Sequence, residues 1–311
     1  MPLSVLWDRH YLATLGWDYI EALMTRAPEV QPRIYLSQHG LLNVEEMPPD
    51  VFRRNFRFDK SDFSFLQRAL KILEVVTSAQ GVHVRGLEAL CICLKRLTYP
   101  NRLCDLHHFC GPHGSVISSI SNKVFDHTET TFGHLLDDLT KHEGLSLNYL
   151  DELSQAVYNE GADLPNCWAF IDGTARSICR PSEHQRQYFS GHKRLYVLKY
   201  QAVMWANRLV EELDGPCSGK RHDAGILHES GLYGKLENLV QGKDYVIYGD
   251  PAYPLGPLLM KPHGGAHLTQ AHQQFNTSMR SVRQPVEGGL GKVVSQFDFL
   301  DFEKKTQELL L

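Results

Sequence analysis

Two short apolar runs in the second half of this chain each stop on an aspartate. Trp168-Ala169-Phe170-Ile171 runs into Asp172-Gly173, and Asp244-Tyr245-Val246-Ile247-Tyr248 runs into Gly249-Asp250. Short runs rich in β-branched and aromatic residues, bounded by glycine, read as buried strands. A strand holds its residues rigidly, while its end opens into a loop. A carboxylate at that point projects into a cleft from a fixed mount.

The surrounding pattern extends this into an α/β layer. Residues 195–205 and 208–213 read as further strands, 223–240 as helix, and Val282, Val286, Leu290, Val293 and Phe297 line one face of a last helix. The first half reads as helical. Leu87, Leu90, Cys91, Leu94 and Leu97 fall at helix spacing before Pro100. A segment at 102–109, a break at Cys110-Gly111-Pro112 and a segment at 115–124 follow. In the last of these Ser115 stands as N-cap and Val116, Ile117, Ile120 and Val124 form the apolar face. Residues 102–124 thus outline a helix-turn-helix, for which an αα-hairpin in a helical domain is the plainer alternative. Helical stretches at 127–142 and 148–159 lead to Gly161-Ala162-Asp163-Leu164-Pro165-Asn166, the best boundary. The expectation is an all-α region over 1–160 followed by an α/β domain over 161–311.

Composition excludes several classes. With 42% apolar and 22% charged residues the 311-residue chain is of globular type, and no apolar run is long enough to span a membrane. The N-terminus lacks a basic segment followed by an apolar block, so it does not read as a signal peptide. Seven scattered cysteines without a CxxC pair suggest reduced thiols in an intracellular compartment. A net charge of −4 argues against a protein coated in nucleic acid, but not against a local basic groove. The cluster Cys104, His107, His108, Cys110 and His113 fits no standard zinc spacing. Ser190-Gly191-His192 lacks a nucleophile-elbow context, and no phosphate-cradling P-loop is present.

Asp172 and Asp250, with Glu287 beside Val286 on the last helix, offer hard oxygen ligands for Mg²⁺ or Mn²⁺. Two such ions can activate a water or a 3′-hydroxyl and stabilise the leaving oxygen of a phosphodiester. On spacing alone the alternative is that Asp172-Gly173 and Asp250-Pro251 are turn formers. Asp223 reads as an N-cap or as a further ligand. Between 176 and 199 stand Arg176, Arg180, Arg186, Lys193, Arg194 and Lys199, with Tyr188, Phe189 and Tyr196 among them and Glu183 the one acid. Cations interleaved with aromatics suit phosphate contact and base stacking, although a solvated basic loop looks similar.

From Phe170 to Leu300 the chain resembles the DDE domain of PIF/Harbinger-type transposases and the nucleases domesticated from them. The pieces that carry this are FIDGTARSICRPSEHQRQYFSGHKRLYVLKYQAV, GPCSGKRHDAGILHESGL, YGDPAYP and MRSVRQPVEGGLGKVVSQFDFLDF. Upstream, LKRLTYPNRLCDLHHFCGPHGSVISSISNKV resembles the family's helix-turn-helix region. The resemblance implies an RNase H-like catalytic domain, a mixed sheet flanked by helices, with a divalent-metal site. It assigns Asp172, Asp250 and Glu287 as catalytic metal ligands and Asp223 as an additional metal contact. It implies cleavage of DNA, a Myb-like DNA-binding partner and work in the nucleus, with the cytoplasm as the alternative. From the basic cluster itself, Arg176, Arg180, Lys193, Arg194 and Lys199 are the expected phosphate contacts, and a homo-oligomer is left open. Gly288, Gly289 and Gly291 depart from the family pattern, and Pro285 suggests a helix start just before Glu287. The stop at Leu311 reads as a C-terminal truncation. A non-catalytic DNA- or protein-binding module derived from a transposase, and an unrelated α/β protein whose acids are turn residues, are the competing readings.

Overall fold

The computed structural model describes residues 42–142 and 145–300; the Glu287 side chain lies outside that set. The signal-peptide and truncation readings concern residues 1–41 and 301–311, which also lie outside it.

The first described part is built on helices. α1 (Pro49–Phe56) and α2 (Phe63–Ala69) bring Phe52, Phe56 and Phe63 together, with Phe52 ring centroids 4.6 and 4.8 Å from the other two. They pack on α3 (Gly86–Thr98), which is buried on most of its circumference and joins two apolar clusters. A helix apolar nearly all round belongs inside a core. Its one buried cation, Lys95, donates to Asn55 Oδ1 at 2.7 Å and lies over the Tyr99 and Phe109 rings at 5.0 and 4.7 Å.

This part is not all-α as expected. β1 (Val75–Thr77) and β2 (His83–Arg85) form an antiparallel hairpin. Val75, Val76 and Thr77 are β-branched, and the Ser78 hydroxyl accepts from the N–H groups of Gln80 and Val82, which closes the turn locally. The expected helix pair is present as α4 (Leu103–Cys110) and α5 (Gly114–Phe132), with Val116, Ile117, Ile120 and Val124 buried. The cap is His113, whose Nδ1 accepts from the Ser115 N–H at 3.3 Å, rather than Ser115 itself. α6 (His134–Asp137) and α7 (Leu147–Asn159) complete the helices before the sheet.

The sheet is mixed. Its long strands β3 (Cys167–Ser177), β5 (Leu195–Met204) and β6 (Val210–Ser218) are antiparallel to one another; β7 (Val246–Tyr248), parallel to β3, and β8 (Leu259–Met260), parallel to β7, continue the sheet. The spatial order is β6-β5-β3-β7-β8. The short β4 (Phe189–Ser190), which follows α8 (Gln185–Tyr188), pairs with the start of β5. Between β6 and β7 the expected single helix is two, α9 (Asp223–Glu229) and α10 (Leu232–Val240), broken at Gly231, whose φ of 67° is left-handed.

Strand alternation sorts the core into two layers. Ala169, Ile171, Val203 and Ile247 face α9, α10 and part of α7. Phe170, Ala202, Met204, Val246 and Tyr248 face Met279, Val282 and Val286 of α11 (Gln270–Gln296). The chain is therefore mixed α/β, with a mixed sheet flanked by helices.

The last helix corrects a second expectation. It does not start at Pro285 but runs 27 residues through it. Proline removes one helical hydrogen bond, and burial of Met279, Val282 and Val286 against the sheet offsets that loss. Of its glycines, Gly289 is buried, and a Cβ there would stand 3.2 Å from the Arg208 carbonyl in the β5–β6 turn; Gly288 and Gly291 face open space. The helix then ends at the first part of the chain. Arg57 Nε donates to the Gln296 carbonyl at 3.0 Å, and Phe297 packs on the Phe52 and Phe56 cluster. Gly288→Ala and Gly291→Ala should each raise stability by about 0.5–1 kcal/mol in thermal or urea melts. Gly289→Ala should lower it, because the new methyl presses on the Arg208 backbone; equal gains at all three sites would contradict this packing.

Candidate active site

β3 and β7 run parallel, with Phe170 opposite Tyr248. Two residues further along each segment stand Asp172 and Asp250, and the charges of both act on the buried Tyr253. Contact persists past the end of β7: a Cβ on Gly249 would stand 2.8 Å from Ile171 Cγ2 and 2.9 Å from the Tyr253 ring. The residue before Asp250 must therefore be glycine for the two segments to close over Tyr253.

The turn reading fits one aspartate and not the other. Asp250 Oδ1 accepts from the Ala252 N–H at 2.9 Å, so Asp250 does shape its turn. Its other oxygen has no part in that bond. Asp172 sits inside β3, which continues past it to Ser177 instead of ending there as expected. β5 extends the ladder on that side, pairing Asp172 with Ala202, whereas β7 stops at Tyr248. The opening at Asp172 thus comes from the shortness of its neighbour.

Asp223 comes from the other layer. It is the first residue of α9, with His222 at the cap position, and its carboxylate lies over Gly173, 3.2 Å from where a Cβ would stand. Alternation directs Asp172 to the face of Phe170, toward α11, and Gly173 to the opposite face. Asp223 and Asp172 therefore approach the strand from its two sides. Lys199 Nζ holds Asp223 Oδ1 at 3.0 Å, and Lys199 lies opposite Ala175 on the same face. Lys199, expected as a phosphate contact, is thus mostly buried and engaged with an acid.

Tyr253, missed in the sequence, is the common neighbour. It is fully buried, and its hydroxyl has no hydrogen-bond partner among the described residues. Burial first, then the negative charges of Asp223, Asp172 and Asp250, push its phenol far above the ordinary tyrosine range; Arg283 of α11 acts in the opposite sense. Tyr253 thus stays neutral, a fixed dipole beside three carboxylates. Its signal was in YGDPAYP, where the second tyrosine follows a turn that had to fold back beneath the glycine.

Glu287 lies on α11, one residue after the buried Val286; its side chain is outside the described residues. Among the described residues, no group of three or more His, Cys, Asp or Glu side chains is arranged to hold a metal. Of the other expected DNA contacts, Arg176 is half-buried and its charge acts on Tyr200. Arg180 is exposed and donates to Gln185 through Nε and Nη2, at 3.1 and 2.9 Å. Lys193 and Arg194 are exposed in the turn before β5. All seven cysteines are free thiols, and no helix of the described residues is long and apolar enough to cross a membrane.

Residues 171–309 match the family model described as DDE superfamily endonuclease. "Protein ALP1-like" of Arabidopsis thaliana is 21% identical over 272 residues, which cover 81% of this chain and 64% of that protein. The chain thus spans somewhat less than two thirds of that relative. No solved structure matches it.

Tyr253→Phe should melt at or slightly above the wild-type temperature, since it deletes a hydroxyl that is buried without a partner. Tyr253→Ala should cost about 3–5 kcal/mol through the cavity it leaves. A marked loss in Tyr253→Phe would mean that the hydroxyl is bonded.

Proposed function

We propose that this protein is a divalent-metal-dependent DNA endonuclease with an RNase H-like catalytic domain of the PIF/Harbinger type. The observation that carries the reading is the approach of Asp172 and Asp250, each two residues past the Phe170–Tyr248 pair of adjacent parallel strands, to one buried phenol, Tyr253, inside the span that matches the DDE endonuclease family. The sheet order β6-β5-β3-β7-β8, with three antiparallel strands followed by two parallel ones, suits an RNase H-like domain.

The donor chemistry fits Mg²⁺ or Mn²⁺. Such ions take carboxylate oxygens, keep several waters, and are bound through only one or two protein carboxylates plus substrate phosphate. Asp172 and Asp250 would be those carboxylates, with Glu287 reaching in from α11 and Asp223 joining on exchange of its Lys199 partner. The metal would supply activation of the attacking water or 3′-hydroxyl and neutralisation of charge on the phosphate. The chain's own contribution is placement. β3 fixes Asp172, the Ala252 N–H fixes one oxygen of Asp250, and Lys199 keeps Asp223 from adding its full charge to the cluster. Exposed Lys193 and Arg194, and Arg180 near them, stand available to the DNA backbone. A Myb-like partner, homo-oligomeric assembly and nuclear work belong to the same proposal. So does the division at about residue 160 into a helical part and a nuclease domain.

A second reading, a transposase-derived module that binds DNA or protein without cutting, is favoured by one observation. Asp223 and Asp172 approach β3 from opposite faces, and among the described residues no group of three or more His, Cys, Asp or Glu is arranged to hold a metal.

Incubation with supercoiled plasmid and Mg²⁺ or Mn²⁺ decides between them. Nicking is expected, reduced to background in Asp172→Ala, Asp250→Ala and Glu287→Gln. Asp223→Asn should retain part of it. Nicking that survives Asp172→Ala would sink the assigned site, and DNA binding without cleavage in either metal would favour the second reading.

A further inference from the structure

Beside Asp250, on the α11 face of the sheet, lies a cleft of about 480 Å³ lined by Tyr248, Pro251, Pro262, Arg280, Arg283 and Gln284, with Asn276. Its volume is in the range of ligand sites. Three features set it apart from an ordinary surface crease. First, two guanidinium groups from one helix stand on it, three residues apart and therefore on the same side of α11. Second, Tyr248 lines it, and the Tyr248 hydroxyl is buried and has no hydrogen-bond partner among the described residues, although a buried phenol ordinarily has one. Third, the described residues that line it include no carboxylate, while Pro251 is the chain neighbour of Asp250. Arg283 also acts on both Tyr248 and Tyr253, so its charge reaches from the cleft into the acid cluster.

Asn276 plays another part. It donates to the His263 carbonyl at 2.9 Å and accepts from the His263 N–H at 2.8 Å, which ties the loop carrying Pro262 to α11 and holds the far wall in place.

We propose that this cleft is an anion site that takes one backbone phosphate of the DNA, with Arg280 and Arg283 supplying charge and the Tyr248 hydroxyl donating to a phosphate oxygen. The proposal rests on DNA being the substrate. Guanidinium groups suit phosphate because their planar N–H donors match its oxygens. Arg280 and Arg283 lie two turns and one turn before Glu287 on α11. A phosphate held there sits beside the scissile position, so the site would set how far along the strand the cut falls. The basic residues at 176–199 stand elsewhere, on β3, β5 and the loop between them, so this is a separate contact.

The test is fluorescence anisotropy with a short labelled duplex in EDTA, so that binding is read without cleavage, over a series of salt concentrations. Arg280→Ala should weaken binding and lower the slope of log affinity against log salt by about 0.9, the loss of one phosphate contact. Arg54→Ala, which removes an exposed arginine remote from the cleft, should leave both unchanged. Tyr248→Phe should weaken binding roughly tenfold, the worth of a hydrogen bond to a charged group, while melting no lower than wild type. Gln284→Ala, at an exposed position, serves as a second probe of the wall if either variant fails to fold. Equal affinity and slope in Arg280→Ala, Tyr248→Phe and wild type would overturn the site, as would a wild type that binds no duplex. Plasmid nicking in Mg²⁺ is scored separately. Wild-type nicking with unaltered binding in the variants defeats this site alone. Altered binding in a chain that never nicks keeps the site and defeats the nuclease reading.

Discussion

The parallel pairing of β3 with β7 is the constraint on which the candidate site depends. Two buried strands with Cys167, Phe170, Val246, Tyr248 and Ile247 fully or nearly fully enclosed cannot slip in register without turning a whole set of apolar side chains to the wrong face. That register leaves Asp172 and Asp250 each two residues past its last pair, Phe170 with Tyr248. Gly249 then admits the Tyr253 ring beneath the turn. The polar arrangement is thus a by-product of apolar packing, and its rigidity comes from the core, not from hydrogen bonds among the acids.

Charge around this point is distributed by layer. Asp223 and Lys199 form a neutral pair on the α9 side, Asp172 faces α11, and Arg283 lies toward the phenols of Tyr248 and Tyr253. Acids collected on one face would repel one another strongly at low dielectric. Spreading them over two faces, with a lysine on one side and an arginine on the other, lets the chain fold with three carboxylates close to one buried hydroxyl.

Much of this was legible in the sequence because burial writes itself into short apolar runs. The strands at 168–171, 195–204 and 244–248, and the two aspartates that follow the outer ones, could be read from pattern alone. What escaped was set by neighbours. Asp172 lies within a strand because β5 prolongs β3 where β7 does not, a fact held in no local window. The hairpin β1–β2 is three residues on each side and too short to show a period. Arg280 and Arg283 were overlooked because Pro285 reads as a helix start, whereas packing of Met279 and Val282 on the sheet carries the helix through it. Gly289, which departs from the family pattern, is a close-approach position against Arg208.

α11 also has a temporal consequence. The Arg57 to Gln296 contact closes a separation of 239 residues, among the longest in the molecule. Such closures come late, since the entropy of bringing distant segments together precedes any reward from the contact. The helix that bears Glu287 is also among the last parts of this sequence to leave the ribosome. Strands with Asp172 and Asp250 can pair well before it exists. Within the proposed nuclease reading, the set of acids is complete only once α11 has seated on α1.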